Sequence, residues 1–340
     1  MAWLGAIVGA LAILGIAWLV ERRRRPTHPV PAGHRPEILL PFEQPFELYH
    51  NALSLCSMKT RVALAELGIP YASHPVDLIE TGAYENIRPR LLRVNPGGTV
   101  PVLLHEGHPI YESHEQIRYA ARFAAPGSPR LVPDDPARAA EMEAWIDRAS
   151  LTSDPLEHGD ESAANAVPGL TVPLFATMVE TIPSWRILEG LLFHFDRMRP
   201  MLFLLLKWRG VEGLPRIRPV AGAIRRSRRQ LRTHLDALEA QLEKEGGPWI
   251  LGDVYSLADV SWLVVFERLR QTDMEAVFLG RGRRPHTTAY WSRLRARPAY
   301  RAAILDHAHP AVERGLERLV AAKSAHPELR ALLEGEDEDR

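Results

Sequence analysis

The sequence predicts an α/β domain followed by an all-α domain, with a transmembrane helix in front of both. Three observations support this fold class. Residues 46–123 alternate between strand-like and helix-like segments, which is typical of an α/β domain. From residue 126 onward the apolar residues follow helical spacing. Residues 2–20 contain no charged side chain. A chain of 340 residues is long enough for two domains.

The composition excludes several classes of function. Lys plus Arg and Asp plus Glu balance at 42 each, so no net charge attracts nucleic acid, and we expect no such partner. The single cysteine excludes an internal disulfide framework and is typical of a reducing compartment. The 14 histidines are scattered along the chain, and we expect no metal site.

The uncharged N-terminal segment has the features of a membrane anchor. At about 1.5 Å per residue, it comes close to spanning a bilayer. Trp3 and Trp18 lie near its two ends, where interfacial aromatic residues belong. The basic run 22–25 follows the apolar segment, whereas a cleaved signal peptide has its positive charge first. We therefore expect residues 1–21 to form a single-pass anchor in the lipid bilayer, with the rest of the chain in the cytoplasm.

Two further features belong to this N-terminal region. Gly5 and Gly9 have the four-residue spacing that lets two membrane helices pack closely, so a homodimer is an expectation. Residues 22–44 are basic and rich in proline and show no apolar periodicity. We interpret them as a tether between the membrane and the folded part of the chain.

Residues 45–125 are predicted to form the α/β domain in the order βαβ, α, ββα. The first βαβ unit implies a right-handed crossover between parallel strands. Ser113 is expected to be the N-cap of the last helix, with Gln116 completing a capping box. The predicted elements are strands at Phe46–His50, 71–78, Val102–His105 and 109–111, and helices at 57–67, 84–93 and 113–123.

Cys56 lies where the first of these helices begins. The free N–H groups and the positive dipole end of a helix favour the thiolate, which is the reactive form of cysteine. The alternative is that Cys56 is a small buried apolar residue, as most free cysteines are. The local sequence leaves both interpretations open.

The order of elements and three motifs resemble the thioredoxin-like N-terminal domain of the glutathione transferase superfamily. The segment 54–57, Ser-Leu-Cys-Ser, resembles the active-site turn of the zeta class. Extended to Arg61, it is more similar to the Ser-x-Cys-Ser-Met-Lys-Thr-Arg run of tetrachlorohydroquinone reductive dehalogenases. Val100-Pro101 matches the Val–cis-Pro of the family, and Glu112-Ser113 matches its Glu-Ser pair.

The resemblance implies glutathione as co-substrate. Glutathione would bind in an extended form along the strand edge at Thr99, Val100 and Pro101, with its γ-glutamyl end at Glu112 and Ser113. The chemistry of these positions agrees, because a strand edge offers main-chain partners to an extended peptide. The N-terminus of a helix likewise suits a carboxylate.

The resemblance also implies Ser54 and Cys56 as the catalytic residues. Ser54 would donate a hydrogen bond to the glutathione sulfur and hold it as a thiolate. Cys56 would either assist or attack a glutathionyl adduct to give a mixed disulfide. Lys59 and Arg61 could raise the local positive potential, but we favour their interpretation as solvated helix residues.

Residues 126–325 are predicted to form the all-α domain. A capping box formed by Ser256 and Asp259 begins an apolar helix, and it resembles the box of the core helix in glutathione transferases. An insertion at about 160–220 makes the layout similar to that of ganglioside-induced differentiation-associated proteins. Its apolar run 201–208 is either a hydrophobic seam, which we favour, or a contact with the membrane surface. Residues 326–340 are expected to be an acidic tail.

The predicted function is that of a membrane-anchored glutathione S-transferase-like enzyme. It would conjugate glutathione to a small hydrophobic electrophile, or carry out glutathione-dependent thiol transfer or reductive dehalogenation. One alternative is a non-enzymatic membrane adaptor that uses the transferase-like fold as a binding platform. Another is a zeta-type glutathione-dependent isomerase, although Leu55 replaces the second serine of the zeta turn.

Overall fold

One five-stranded sheet forms the N-terminal α/β domain in the computed structural model, which describes residues 2–152 and 157–335. The strands are β1 Gly33–His34, β2 Phe46–His50, β3 Ala72–Pro75, β4 Val102–His105 and β5 His108–Tyr111. The strand order is β1-β5-β4-β2-β3. β2 and β3 are parallel, and the other pairs are antiparallel. The predicted α/β fold is therefore confirmed.

The helices of this domain are α2 Leu55–Glu66, α3 Pro89–Val94 and α4 Ser113–Ala120. α2 begins two residues earlier than predicted because Ser54 is its N-cap and accepts a hydrogen bond from Ser57 N at 3.2 Å. The weak helix predicted at 84–93 divides into a 3₁₀ turn and α3. Pro89 lacks an N–H and therefore suits the first position of α3.

From residue 126 onward, the described residues form helices joined by loops and turns, which confirms the predicted all-α domain. The core helix α10, Leu257–Gln271, begins at the predicted capping box of Ser256 and Asp259. The buried Asp259 carboxylate also accepts hydrogen bonds from Ile250 N at 3.1 Å and from Tyr290 Oη at 2.9 Å. The helices are α5 Pro136–Arg148, α6 Ala163–Val179, α7 Ser184–Phe193, α8 Met198–Arg209, α9 Arg218–Glu245, α10 Leu257–Gln271, α11 Glu275–Leu279, α12 Pro285–Ala296, α13 Pro298–Ala303, α14 Pro310–Ala325 and α15 Pro327–Glu334.

α2 lies between the sheet and the helical domain, and its charged residues are buried there. Arg61 is 1% exposed, and its Nε donates to Ala303 O at 2.7 Å. Lys59 is 2% exposed, and its Nζ donates to Ala149 O at 3.4 Å and to Ser150 Oγ at 3.2 Å. The expectation that these two side chains are solvated is therefore wrong, because both reach backbone oxygens of the other domain.

The expected transmembrane helix is also wrong. The first helix, α1 Ala2–Arg24, includes a charged last turn. Among residues 2–152 and 157–335, no helix has both the length and the apolar character that crossing a membrane requires. Near the end of α1, Trp18 Nε1 donates to Leu192 O at 3.4 Å, and the Arg25 guanidinium pairs with Glu189 at 3.2 Å. The same finding contradicts the single-pass anchor and the membrane localisation derived from it.

The segment interpreted as a tether is attached to the sheet. It contains β1, which pairs with β5. Arg35 N donates to Pro109 O and Leu40 N to Gly107 O, each at 2.9 Å. Gly107 has φ +82°, and a Cβ at this position would lie 2.4 Å from Leu40 O. The segment thus covers a strand edge that would otherwise leave N–H and C=O groups unpaired.

The insertion forms three helices, α6 to α8. The apolar run 201–208 lies in α8, where Phe203 and Leu206 are buried while Met201 and Trp208 are exposed. α8 therefore packs one apolar face on the domain. In the segment expected to be an acidic tail, α15 instead packs three buried leucines on the domain, and residues 336–340 of that segment lie outside the described residues.

We expect Asp259→Ala to lower the free energy of unfolding by about 3 kcal/mol, because it leaves several buried donors unpaired at once. Urea denaturation monitored by circular dichroism measures this change in the free energy of unfolding. Asp253→Ala is the control, because Asp253 is exposed six residues earlier and should change stability by less than about 0.5 kcal/mol. Equal effects of the two substitutions would contradict a special role for the capping box.

Candidate active site

A cavity of about 370 Å³ lies where the start of α2, the loop before β4 and the helical domain meet. Four of the predicted site residues line it: Ser54, Cys56, Thr99 and Val100. Its remaining walls are mainly apolar, with a few buried polar groups. The other lining residues are Asn51, Leu53, Leu55, Leu78, Glu80, Asn86, Gly98, Leu151, Pro168, Thr171, Phe175, His194, Phe195, Arg199 and Arg268.

The turn before α2 is held by Asn51. Its Oδ1 accepts from Leu53 N at 2.9 Å and from Ser54 N at 3.2 Å, and its Nδ2 donates to Val76 O at 2.9 Å. Ser54 Oγ lies 3.5 Å from Val100 O. The hydroxyl therefore stands at the cavity wall between the helix start and the strand edge.

The peptide bond between Val100 and Pro101 is cis. Gln116 Nε2 donates to Pro101 O at 3.0 Å and to Ile110 O at 2.9 Å, while its Oε1 accepts from Thr60 Oγ1 at 2.8 Å. Gln116 thus joins α2, α4 and the loop before β4. The prediction that it completes a capping box is wrong, because its side chain is used inside the domain.

The neighbouring loop is fixed by two asparagines. Asn95 Nδ2 donates to Thr99 O at 2.8 Å, and Asn95 Oδ1 accepts from Gly97 N at 2.9 Å. Asn86 Nδ2 donates to Gly98 O at 3.0 Å. Thr99 is exposed. Its main chain therefore stands at the cavity rim in a fixed position.

Glu112 and Ser113 lie beside the cavity without lining it. Glu112, not Ser113, is the N-cap of α4, and it has φ +68°. A non-glycine residue with positive φ is strained, and functional sites are one of the places where such strain clusters. Ser113 is buried as the first residue of α4, so the expectation that it is the N-cap is wrong. Pro101 is also buried and does not line the cavity.

The electrostatics of Cys56 differ from the expectation. Burial raises the pKa of the Cys56 thiol above its ordinary value, while the Lys59 ammonium and a hydrogen bond from Ser113 act in the opposite direction. The helix start therefore does not lower the pKa on balance. Burial also lowers the pKa of Lys59 to about 8, with Cys56 opposing the shift. No carboxylate of the described residues forms an ion pair with Lys59.

The helical domain contributes charged groups that the motifs did not indicate. Arg199 of α8 pairs with the buried Glu80 carboxylate. Arg268 of α10 lies at the cavity 4% exposed. A signal was present, since Arg268 interrupts an apolar helix, but the sequence does not show which helix faces the cavity. Within residues 2–152 and 157–335, no group of three or more potential ligands could hold a metal ion.

Comparison with known proteins identifies the family. Residues 53–122 match the family model described as "Glutathione S-transferase, N-terminal domain". Residues 221–334 match the one described as "Glutathione S-transferase, C-terminal domain". The two matches cover most of the sheet domain and the second part of the helical domain, and they leave the insertion uncovered.

Several curated relatives match most of the chain. The chain is 28% identical over 262 residues to "Glutathione S-transferase TCHQD" of Arabidopsis thaliana, covering 76% of this chain and 89% of the relative. It is 27% identical over 264 residues to the "Tetrachloro-P-hydroquinone reductive dehalogenase" of Sphingobium chlorophenolicum, covering 75% of this chain and 94% of the relative. The human "Ganglioside-induced differentiation-associated protein 1-like 1" is 26% identical over 303 residues, covering 82% and 79%.

Solved structures show the same fold. Beta-etherase LigF from Sphingobium sp. strain SYK-6 superposes with a TM-score of 0.62 at 20% identity, covering 77% of this chain and all of that one. Glutathione S-transferase III in its apo form superposes with a TM-score of 0.51 at 25% identity, covering 78% and 98%.

A thioredoxin-like domain with a cis-proline beside a cavity, joined to a helical domain, is the architecture that the chain shares with these solved structures. The chain belongs to the glutathione S-transferase family. These matches confirm three expectations: the resemblance to glutathione transferases, the glutathione S-transferase-like enzyme class and glutathione as co-substrate. The adaptor interpretation is not favoured by these matches. The homodimer stays a prediction.

We expect Lys59→Met to slow alkylation of Cys56 at pH 8 by about fivefold, because the variant loses the positive charge that favours the thiolate. Iodoacetamide labelling followed by mass spectrometry measures the rate, and Cys56 is the sole cysteine of the chain. Because the Cys56 pKa is raised, labelling of the unmodified protein should be slow at pH 7 and increase as the pH rises.

The control for this prediction is Lys207→Met. Lys207 also donates to backbone carbonyls, those of Val179 and Glu180, but it lies in α8 and is not among the charges that act on the Cys56 thiol. Its replacement should leave the labelling rate unchanged. An unchanged rate in Lys59→Met as well would show that Lys59 has no electrostatic effect on Cys56.

Proposed function

We propose that the protein catalyses attack by the glutathione sulfur on a small electrophile bound in the cavity. The observation that carries this proposal is the arrangement of Ser54, Cys56 and Val100 around one cavity whose other walls are largely apolar. Apolar walls with few polar groups are typical of sites for small organic molecules. The reacting sulfur and its electrophile would meet there, away from bulk water.

Glutathione would bind along the loop before β4. The main chain at Thr99 and Val100 would pair with the cysteinyl part, and the free N–H groups at the start of α4 would bind the γ-glutamyl carboxylate at Glu112 and Ser113. The fixed position of this loop supports the proposal, because pairing with a rigid strand edge requires little reordering. Ser54 Oγ would donate to the sulfur and stabilise its thiolate form.

The first step is the same for conjugation and for reductive dehalogenation. The glutathione thiolate forms a C–S bond to the electrophilic carbon, and the leaving group, such as chloride, departs with the electron pair of its bond. In conjugation the thioether is the product. The motif in residues 54–61 and the similarity to a reductive dehalogenase support a second stage in this chain.

In that second stage the Cys56 thiolate attacks the sulfur of the glutathionyl adduct. An S–S bond forms, the C–S bond breaks, and the carbon leaving group takes up a proton. A second glutathione then reduces the mixed disulfide, so that two glutathione molecules supply the two electrons and leave as oxidised glutathione. Desolvation raises the pKa of the Cys56 thiol, and the buried Lys59 ammonium would stabilise the thiolate when it forms.

We expect calorimetric titration of the full chain to show glutathione binding in the micromolar to millimolar range. Ser113→Ala should weaken it about fivefold or more, because a charge-assisted hydrogen bond to the γ-glutamyl carboxylate is lost. Ser324→Ala changes an exposed serine far from the cavity and is the control. Absence of any heat at millimolar glutathione, without thermal stabilisation, would contradict the proposed function.

We expect Cys56→Ser to retain glutathione binding and lose the second stage. Mass spectrometry during turnover of a chlorinated hydroquinone should detect the glutathionyl mixed disulfide on the unmodified protein. In the variant, the thioether adduct should accumulate instead of the dechlorinated product. Dechlorination at the original rate in Cys56→Ser would show that Cys56 serves only in packing.

A further inference from the structure

Arg268 is a buried cation at the cavity whose hydrogen-bond partners are all neutral. Its Nε donates to Gln271 Oε1 at 3.0 Å, one terminal nitrogen donates to Thr171 Oγ1 at 3.1 Å, and the other donates to Leu53 O. No carboxylate of the described residues forms an ion pair with it. A guanidinium taken out of water without a counter-ion is unfavourable unless an anion approaches it.

The other charges around the cavity do not neutralise Arg268. Arg199 and Glu80 form an ion pair with each other, so their charges cancel. Glu267, the sequence neighbour of Arg268, is bound by Arg270 at 2.7 Å and by Tyr300 Oη at 2.7 Å. The charged groups that line the cavity therefore sum to one positive charge, which resides on Arg268.

The guanidinium of Arg268 also has N–H groups that form no hydrogen bond with the described residues. It carries five N–H groups in a planar fork, and three of them are used in the contacts above. One N–H on each terminal nitrogen has no partner among the described residues. Arginine binds a carboxylate through such pairs of donors, and these charge-assisted hydrogen bonds are stronger than neutral ones.

We propose that Arg268 is a carboxylate-binding group for the electrophile, so that the preferred second substrate is a small aromatic or apolar acid. This proposal rests on the proposed function and names its substrate class. The position of Arg268 supports it, since Thr171 of the insertion holds the guanidinium on the helical-domain side of the cavity. The apolar side chains of Phe175 and Phe195 line the same cavity and would contact the rest of the molecule.

The glycine carboxylate of glutathione is a second source of the same chemistry, and the test separates the two. One arm compares turnover of 4-chloro-3-nitrobenzoate with that of its neutral amide, 4-chloro-3-nitrobenzamide. In both, the glutathione thiolate forms a C–S bond as chloride leaves. We expect Arg268→Gln to lower the kcat/KM for the acid, relative to that for the amide, about tenfold or more.

A second arm measures glutathione against its glycine monoethyl ester by calorimetry. If Arg268 binds the electrophile, the ratio of the two dissociation constants should be the same in Arg268→Gln as in the unmodified protein. A change confined to this ratio, with no change in the ratio of acid to amide, would assign Arg268 to glutathione and overturn the proposal.

The matched control is Arg61→Gln. Arg61 is also a buried arginine that donates to the loop before α2, through Asn51 O at 3.0 Å, but it does not line the cavity. If Arg268 only holds that loop, both variants should lower turnover of acid and amide equally. An unchanged ratio of acid to amide in Arg268→Gln would therefore refute the proposal.

A third arm does not depend on glutathione. Calorimetry with the unreactive 4-methyl-3-nitrobenzoate and its amide, without glutathione, should show preference for the acid in the unmodified protein and in Arg61→Gln but not in Arg268→Gln. Failure of glutathione to bind would contradict the proposed function alone. Equal binding of acid and amide by the unmodified protein would contradict the role of Arg268.

Discussion

The burial of α2 between the sheet and the helical domain is the constraint on which the site depends. Arg61 connects the two domains in its fully buried position, because its guanidinium donates both to Asn51 O in the turn before α2 and to Ala303 O. Lys59 makes the equivalent connection to Ala149 O and Ser150. A shift of the helical domain that kept these side chains buried but broke their hydrogen bonds would leave two buried charges without partners, so the position of the α2 start is coupled to that domain.

The burial of α2 also determines whether the thiol or the thiolate form of Cys56 is favoured. A helix start favours a thiolate by fractions of a kcal/mol to about 2 kcal/mol, and desolvation of the charged form opposes this effect. At Cys56 desolvation is the larger contribution, so the pKa is raised. Burial also disfavours the charged form of Lys59 and lowers its pKa to about 8. A thiolate and an ammonium formed together would each reduce the cost of the other, which suits a thiol that is ionised only during a reaction.

The sequence predicted those parts of the fold that depend on local signals. The strand Phe46–His50 and the capping box at Ser256 follow from alternation and from residue type at fixed spacing, and both occur as predicted. What was missed depends on distant contacts. The strand Gly33–His34 exists because β5 offers an open edge. The burial of Arg61 follows from docking of the second domain. The apolar N-terminal run did not indicate that the end of its helix contacts α7.

The candidate site divides in the same way. Ser54 and Cys56 were found because their residue types occur in a motif along one stretch of chain. Arg268 could not be found in this way, since it is separated from Leu53 by most of the chain and reaches it only through the packing of α10 on α2. The sheet domain therefore contributes the thiol chemistry, which a local motif can encode. The helical domain contributes the positive charge and, through Thr171 of the insertion, the group that orients it. Changes in the helices can thus alter which molecule is bound while the reacting groups remain in position.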